Sequence, residues 1–263
     1  MFHHCQRCDL SALMKILKHL RNDWFRYGFE TIAVVVGILV AFALDNWNED
    51  RKQDLLEFEY LNGLVADLAN DTTYYNYRIA NSDWIIEHHR EFILQMYQTQ
   101  NSLEEVRALF KHLDYNSEHL TTQNSTYIEL TNSGNLSILS NRELKNMVID
   151  YYRENERAAT HISEFNEVSS RHLVEVGNVV RNYIKLHLVV DNIYDSSFTM
   201  PSNEWDFFNN PSSERFQTIE YTVGVYRLKH MAFLNHFLKL KNMSAQLIHE
   251  LQNEMESRTK QKR

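Results

Sequence analysis

Two small groups of residues have types and spacings that could support chemistry, and the first lies at the start of the chain. His3 and His4 precede Cys5 and Cys8, which form a Cys-x-x-Cys pair. Thiolate sulfur and imidazole nitrogen are the ligands that zinc prefers, but structural zinc sites normally take a second pair of ligands from another part of the chain. No other cysteine follows. Two interpretations stay open: a metal site, or a frayed or extra stretch before a true start at Met14.

The second group is a run of acidic residues and histidines, Glu87, His88, His89 and Glu91. Such a run could bind a metal or respond to pH, since histidine titrates near neutrality. It is also typical of a solvated helix face with one histidine turned inward. We expect His89 to be that inward residue.

Motifs of known enzyme chemistry are missing from the sequence. There is no Glu-x-x-His pair of the kind that di-iron bundles use, no His-Glu-x-x-His and no Gly-x-Ser-x-Gly. The 263 residues hold 6 glycines, too few to make loops that cradle phosphate a plausible feature. We therefore expect a non-enzymatic protein without a cofactor.

The net charge of −8 is unevenly distributed along the chain. Basic residues exceed acidic ones before residue 45, so the acidic excess lies in the rest of the chain. An acidic domain repels phosphate backbones, which argues against nucleic-acid binding. The basic N-terminal part favours an anionic membrane surface instead.

An uncharged apolar run extends from Ile32 to Leu44. The aromatic residues Tyr27, Phe29 and Trp47 flank it, and a helix from residue 27 to residue 47 would be roughly 31 Å long. Aromatic residues at both ends are typical of the two membrane interfaces. We predict an uncleaved transmembrane anchor over residues 27–47, with the core helix of a soluble domain as the alternative.

The orientation of this anchor follows from the positive charges beside it. Four basic residues precede the anchor closely and two follow it: Lys15, Lys18, Arg21 and Arg26, then Arg51 and Lys52. We predict that residues 1–26 form a cytoplasmic, basic, amphipathic segment and that residues 48–263 form an extracytoplasmic domain. In a bacterium this means the inner membrane, crossed once, with the C-terminal domain in the periplasm.

Within the anchor, Ala33, Gly37 and Ala41 recur every four residues. Small residues on one stripe let transmembrane helices approach closely, so self-association is one interpretation and chance the other. The polar and aromatic residues at the membrane edges are Glu30, Asp45, Asn46 and Trp47. The acidic side chains of Glu30 and Asp45 are expected to reach the headgroups, with a proton or ion role as the alternative.

Long helices are expected after the anchor, because only 2 prolines occur and both fall in one late linker. A stripe at spacings of three and four predicts a helix over about residues 50–98. Its members are Phe58, Leu61, Val65, Leu68, Thr72, Tyr75, Ile79, Ser82, Ile86, His89, Ile93 and Met96. Ser102 with Glu105 predicts a cap for a short second helix. The segment 114–125 is polar and is expected to be a loop. A further short helix over about 125–133 should end at Gly134, which can adopt the left-handed conformation.

Two more helices complete the prediction. Ser140 with Glu143 is expected to cap a helix that ends near Val189, and Pro211 is expected to begin a helix that ends near Glu256. The linker between them carries Phe198, Trp205, Phe207 and Phe208 and should pack against the helices. The predicted fold is all-α: a transmembrane helix, then an elongated antiparallel bundle of three long helices plus short helices.

Two stretches resemble a bacterial family of single-pass membrane proteins of unknown function. The first is FETIAVVVGILVAFALDNWNEDRK, in which the matching positions are Glu30, Gly37, Ile38, Leu39, Ala41, Asn46, Trp47, Asn48 and Glu49. The second is TYIELTNSGNLSILSNRELKNMVIDYY, in which they are Ser133, Gly134, Leu136, Leu144, Tyr151 and Tyr152. The resemblance implies membership of the family and no activity.

Two hypotheses of function follow. The first is a membrane protein that displays a helical bundle for binding an envelope protein or a second copy of itself. The second is a sensory or ligand-binding domain that signals through a partner. A pocket lined by convergent polar groups between the long helices would favour the second hypothesis, and a dry core with an exposed apolar stripe would favour the first.

Overall fold

The computed structural model describes residues 8–110, 113–180 and 200–261, and the regular structure of these residues is helical without a strand. The helices are α1 (Cys8–Met96), α2 (Leu103–Phe110), α3 (Ser125–Asn132), α4 (Arg142–Val179) and α5 (Glu214–Gln261). The all-α prediction is confirmed. The chain divides into two compact units, the first ending at Phe58 and the second beginning at Glu59.

Several predicted helix ends agree with the structure. Helix α1 ends at Met96, within two residues of the predicted end. The N–H of Glu105 donates to Ser102 Oγ at 3.2 Å, which confirms the predicted cap of α2. Gly134 follows α3 with a φ of +73°, so it supplies the left-handed residue expected there.

The cap of α4 differs from the prediction by one residue. Asn141, not Ser140, is the N-cap, and its Oδ1 accepts from the N–H groups of Glu143 and Leu144 at 3.1 and 3.2 Å. Ser140 Oγ accepts instead from the Arg258 guanidinium of α5. The helix ends at Val179, and the predicted continuation over residues 181–189 lies outside the described residues.

The start of α5 also differs from the prediction, which placed it at Pro211. Helix α5 begins at Glu214, and the Phe216 N–H donates to Ser213 Oγ at 3.2 Å. The residues before it form short 3-10 turns that bury the side chains of Phe207 and Phe208. The predicted packing of this aromatic linker is confirmed for these two residues, while Phe198 lies outside the described range.

Side-chain contacts give the directions of the long helices within the second unit. Residue numbers rise along α1 while they fall along α5 in the pairs Thr72 with Ser244, Ile86 with Arg227, and Tyr97 with Glu220. The same order holds between α4 and α5, where the pairs are Asn141 with Glu254 and Glu154 with Lys239. Helix α5 is therefore antiparallel to both other long helices.

Helices α1 and α4 run in the same direction, which corrects the prediction that consecutive long helices would be antiparallel. Tyr75 of α1 contacts Asn155 of α4, and further along both helices Phe92 shares a core cluster with Val176. The chain must therefore travel back beside α1 before α4 begins. The polar segment that we predicted as a loop makes this return.

The return segment is defined as residues 113–124, and successive residues of it contact successively earlier residues of α1. The contacts run through Asp114 with His89, Glu118 with Arg78, His119 with Tyr74, and Gln123 with Asp71. A segment without regular structure needs partners for its backbone polar groups. The polar side chains of α1 supply part of them.

Two rows of residues on α1 are buried in the second unit. One row was predicted and is confirmed: Leu61, Leu68, Tyr75, Ser82, His89 and Met96. The other buried row consists of Leu64, Asp71, Arg78, Ile85 and Phe92. Each of them lies one residue before a member of the second predicted row, Val65, Thr72, Ile79, Ile86 and Ile93, which is only partly buried. Together the two buried rows repeat every seven residues, as in helices that pack along their length.

Gly63 lies where α1 approaches α3 closely, and its replacement is the first test of this packing. A Cβ at residue 63 would lie 2.8 Å from Oγ1 and 3.0 Å from Cγ2 of Thr126. We expect Gly63→Ala to lower the free energy of unfolding by about 1–3 kcal/mol because the helices must move apart. Urea unfolding of the full chain in detergent measures this change.

Gly177→Ala on α4 is the matched control, since a Cβ there meets nothing within 4 Å. Alanine has the higher helix propensity, so this variant should gain up to about 1 kcal/mol. If both variants raised the free energy of unfolding by the same amount, the close approach at Gly63 would be contradicted.

Candidate functional site

The apolar segment of α1 is the first candidate site. Each residue from 28 to 53 is exposed. Among the described residues, α1 is the one helix long and apolar enough to cross a membrane, and none of its most apolar window is buried. An uncovered apolar surface of this length marks a binding surface for lipid or protein.

The predicted site residues of this segment all lie on its exposed surface. Ala33, Gly37 and Ala41 share one stripe, and a Cβ added to Gly37 would meet nothing within 4 Å. At the edges, Glu30, Asp45, Asn46 and Trp47 are exposed as well, and the Arg51 guanidinium lies 6.0 Å from the Trp47 ring centroid. The structure thus leaves the small-residue stripe accessible to another helix.

The second candidate region is a buried tyrosine network, defined as Asp71, Tyr75, Tyr151, Asn155 and Thr122. The Tyr151 hydroxyl donates to Asp71 Oδ2 at 2.6 Å, and the Tyr75 hydroxyl donates to Asn155 Oδ1 at 2.7 Å. Thr122 Oγ1 donates to the same Asn155 oxygen at 3.0 Å. The network joins α1, α4 and the return segment.

Burial dominates the electrostatics of the tyrosine network. It raises the pKa of Asp71, against the lowering effect of the hydrogen bonds from Gln123 and Tyr151. It also raises the pKa values of Tyr75 and Tyr151. Both hydroxyls therefore remain protonated and act as hydrogen-bond donors. The network thus holds the return segment in place against α1 and α4.

Removal of the Asp71 carboxylate tests that role. We expect Asp71→Leu to lower the free energy of unfolding by roughly 3–4 kcal/mol, because Tyr151 and the Gln123 N–H lose a charged acceptor. Tyr151→Phe should cost about 1–2 kcal/mol. Urea unfolding measures both single variants and the double variant.

The double variant is the control for the direct contact between Asp71 and Tyr151. If the two residues act together, its loss should be smaller than the sum of the single losses by about 1 kcal/mol. If the loss in the double variant equalled the sum of the two single losses, the direct contact between Asp71 and Tyr151 would be contradicted.

The third candidate is a histidine cluster, defined as His89 of α1 with His230 and Lys229 of α5. None of the three side chains is exposed. The two imidazole ring centroids lie 6.3 Å apart. The polar groups of two long helices therefore converge inside the second unit.

Hydrogen bonds satisfy only part of the histidine cluster. The Asp114 N–H donates to His89 Nε2 at 3.3 Å, and Lys229 Nζ donates to the Asn116 carbonyl at 2.9 Å. Within the described part of the chain, both ring nitrogens of His230 and the Nδ1 of His89 have no hydrogen-bond partner. A buried polar atom without a partner costs free energy, so these nitrogens require an explanation.

Burial and neighbouring positive charge keep both imidazoles neutral. Burial lowers the pKa of His230 to about 3, and Lys229 adds to this effect. Burial lowers the pKa of His89 to about 4, although Asp114 opposes the change. Burial also lowers the pKa of Lys229 to about 8, so its ammonium group is still charged at neutral pH.

The comparisons with known proteins give the family of this chain. Residues 30–200 match the model of a family of unknown function, DUF6090. The chain belongs to DUF6090. Searches of curated proteins and of solved structures found no match.

The matched range of DUF6090 extends from Glu30 to Met200. It includes the predicted anchor from Glu30 onward, the whole return segment and the tyrosine network. The expected membership of a family of unknown function is confirmed, while the bacterial signature itself stays a prediction. Helix α5, which carries His230 and Lys229, lies after the matched range.

The structure separates the residues of the predicted acidic and histidine run in this DUF6090 protein. His89 is buried, as predicted, whereas Glu87 and Glu91 are exposed. No group of three or more histidine, cysteine, aspartate or glutamate residues that could hold a metal occurs among the described residues. His3, His4 and Cys5 lie outside the described range.

Several residues of these sites were not predicted from the sequence: Asp71, Arg78, Lys229 and His230. The sequence does contain a signal that His230 is buried. The aromatic residues Tyr226 and Phe233 lie four residues before it and three residues after it on α5. A helix position between two buried aromatic residues at these intervals faces the core. Asp71 and Arg78 gave no such signal, since charged residues on a helix are ordinarily exposed.

Proposed function

We propose that this DUF6090 member is a single-pass protein of the bacterial inner membrane. It displays a helical bundle, residues 48–263, in the periplasm, where the bundle binds another envelope protein or a second copy of the chain. The proposal assigns no reaction to the protein and no partner among nucleic acids.

The exposure of the apolar segment carries this proposal. Residues Ile32–Leu44 contain no charged side chain, and every one of them is exposed. An apolar run that packs in a soluble core would be covered, whereas a lipid bilayer offers the cover that this segment lacks. The aromatic residues Phe29 and Trp47 at its ends suit the two interfaces.

The charge on either side of the segment supports the orientation. Four lysine and arginine residues closely precede the anchor and two closely follow it, which favours a cytoplasmic N-terminus. Ala33, Gly37 and Ala41 form the proposed contact between copies within the membrane. Glu30 and Asp45 belong at the headgroup level in this arrangement.

Membrane extraction tests the proposed anchor. The full chain is expressed in a bacterium, and its membranes are washed with alkaline carbonate and then floated on a density gradient. The proposal predicts that the chain stays with the floated membranes. Recovery in the soluble or carbonate-washed fraction would refute the anchor.

A sensory function is the second candidate, and the histidine cluster favours it. Between α1 and α5 lie imidazole nitrogens of His89 and His230 that have no partner among the described residues, and α1, which carries His89, also carries the proposed anchor. A stimulus that binds or protonates this cluster would alter the packing of α1. The short cytoplasmic segment proposed here then needs a partner protein for its output.

A further inference from the structure

The outward face of α5 carries a regular stripe of residues, most of them exposed, that lies away from its buried face. We define the outer stripe as Tyr221, Gly224, Leu228, Met231, Asn235, Leu238, Asn242 and Ala245. The spacing between successive members alternates between three and four residues. Such a seven-residue repeat is the pattern by which two helices pair along their length.

The outer stripe is uncharged, and its large apolar members are accessible. Tyr221 and Leu228 are 60% and 61% exposed, and Met231 and Leu238 are about two-fifths exposed. The opposite face of the same helix is buried and includes Val223, Tyr226, Phe233, Phe237 and Leu240. Helix α5 therefore has a second packing face in addition to the one that enters the core.

Contacts at its two edges define the limits of the outer stripe. On one side Arg227 Nε donates to the Ile86 carbonyl of α1 at 3.2 Å. On the other side Lys239 Nζ lies 2.7 Å from the Glu154 carboxylate of α4. The edge residues are held by neighbouring helices, so the stripe between them is presented on a fixed surface.

We propose that the outer stripe binds the outer stripe of a second copy of this chain, with the two α5 helices parallel. The inference rests on the proposed function, because two copies inserted in one membrane in the same orientation present α5 in the same direction. A shared membrane also raises the effective concentration of one copy near the other.

The composition of the outer stripe suits pairing with itself. In a parallel two-fold pair each stripe residue faces its own counterpart, so a charged residue there would oppose an identical charge. The stripe contains no charged residue, although the chain carries a net charge of −8. Asn235 and Asn242 can each both donate to and accept from the same residue of the second copy, and an asparagine at such a position helps to fix the register of paired helices.

The residues beside the outer stripe are compatible with the same register. In a parallel pair, the residues just before Tyr221, Leu228, Asn235 and Asn242 each face the residue five positions later on the partner helix. The four resulting pairs are Glu220 with Val225, Arg227 with Ala232, Leu234 with Lys239, and Lys241 with Gln246. None of the pairs opposes like charges, so no repulsion works against association.

Cysteine crosslinking in native membranes tests the parallel pair. Cys5 and Cys8 are first replaced by serine in the full chain, and Ala245→Cys is introduced on the outer stripe. Asn76→Cys, at an exposed position of α1, is the matched control. A short, membrane-permeant bismaleimide should give a product of twice the 31.4 kDa chain mass for Ala245→Cys and not for Asn76→Cys.

A charge at a self-facing position provides the second variant. Leu228→Glu, added to Ala245→Cys, should lower the crosslinked fraction at least about tenfold, because two carboxylates would oppose each other. Leu94→Glu, at an exposed position of α1, should leave the fraction unchanged. Leu228 is exposed, so the single chain should fold in either variant.

Three results would overturn the inference. These are the absence of the double-mass product from Ala245→Cys in membrane-inserted protein, equal crosslinking at Asn76→Cys, and a product whose mass indicates a different protein. Each sample is also extracted with carbonate. Loss of the crosslink with the chain retained in the membrane rejects the pair alone, whereas a soluble chain rejects the proposed function.

Discussion

Acidification from pH 7 to pH 4 is expected to lower the free energy of unfolding of this protein by roughly 6 kcal/mol through His89 and His230. Burial lowers the pKa of His89 to about 4 and that of His230 to about 3. Small domains are stable by about 5–15 kcal/mol, so the expected loss is a large part of the total.

The sign of this effect follows from where each state binds protons. In the unfolded chain both histidines have pKa values near 6.5, so they take up protons as the pH falls below that value. In the folded chain they stay neutral until the pH approaches their lowered pKa values. The stability is fully present above about pH 6.5 and is lost progressively between about pH 6.5 and pH 3.

Charged neighbours on each element around the histidine cluster also change the pKa values of His89 and His230. Lys229 lowers the pKa values of both imidazoles, Arg78 further lowers that of His230, and Arg227 that of His89. Asp114 of the return segment acts in the opposite direction on His89. The net surroundings of the two imidazoles are cationic and apolar, which disfavours the imidazolium form.

Urea unfolding at a series of pH values measures this prediction. His230→Leu should remove about 3 kcal/mol of the loss between pH 7 and pH 4, since leucine has a similar volume and does not titrate. It should also raise the stability at pH 7, because two buried nitrogens without partners disappear.

His249→Leu is the matched control for the acid effect, because His249 is an exposed histidine on the same helix. Its pH dependence should follow that of the unsubstituted chain. If His230→Leu also retained the full loss of stability in acid, the histidine cluster would not be its cause.

Charged residues in the middle of the anchor are expected to release the chain from the membrane. Val36 and Val40 lie near the centre of residues 27–47 and are exposed. An arginine at the centre of a membrane helix costs about 2.5–3.5 kcal/mol on insertion scales, so Val36→Arg with Val40→Arg should cost about 5–7 kcal/mol. This penalty is sufficient to prevent stable insertion.

Carbonate extraction of the double variant measures this effect. The matched control is Val36→Leu with Val40→Leu, which keeps the segment apolar and should remain in the membrane. Retention of the arginine variant to the same extent as the leucine variant would show that residues 27–47 do not span the bilayer.

The sequence and the structure agree most closely where local signals decide the outcome. Gly134 and Ser102 lie at helix ends for reasons that involve a few neighbouring residues, and both were predicted correctly. The cap of α4 moved from Ser140 to Asn141 because two adjacent residues can both accept from backbone N–H groups. Only the contact of Ser140 with Arg258, distant in sequence, distinguishes them.

The misplaced row of α1 shows what a periodic pattern cannot predict. The residues of the predicted row are apolar or neutral, whereas the buried row includes Asp71 and Arg78. These charged groups are buried because the return segment pairs with them, through the Gln123 N–H and the Glu118 carboxylate. A pattern that assigns charge to the surface excludes them, since their partners lie about 40 to 50 residues away in sequence.

The direction of α4 was missed for a related reason. We expected a reversal between successive long helices because a polar segment looked like a simple loop. That segment instead follows α1 back along its length, held by hydrogen bonds such as the one from Tyr74 Oη to the His119 carbonyl at 2.9 Å. The pairing of the return segment with α1 also explains why the histidine cluster could not be predicted. The cluster forms only when both α5 and the return segment pack against α1.

The location of the C-terminus tests the central claim most directly. Two fusions are made after Arg263 of the full chain, one to a phosphatase that is active only after export and one to a fluorescent protein that folds only in the cytoplasm. With equal amounts of both fusions in the membrane fraction, a single-pass protein with a cytoplasmic N-terminus should show phosphatase activity without fluorescence. Fluorescence without phosphatase activity would contradict the periplasmic placement of the helical domain.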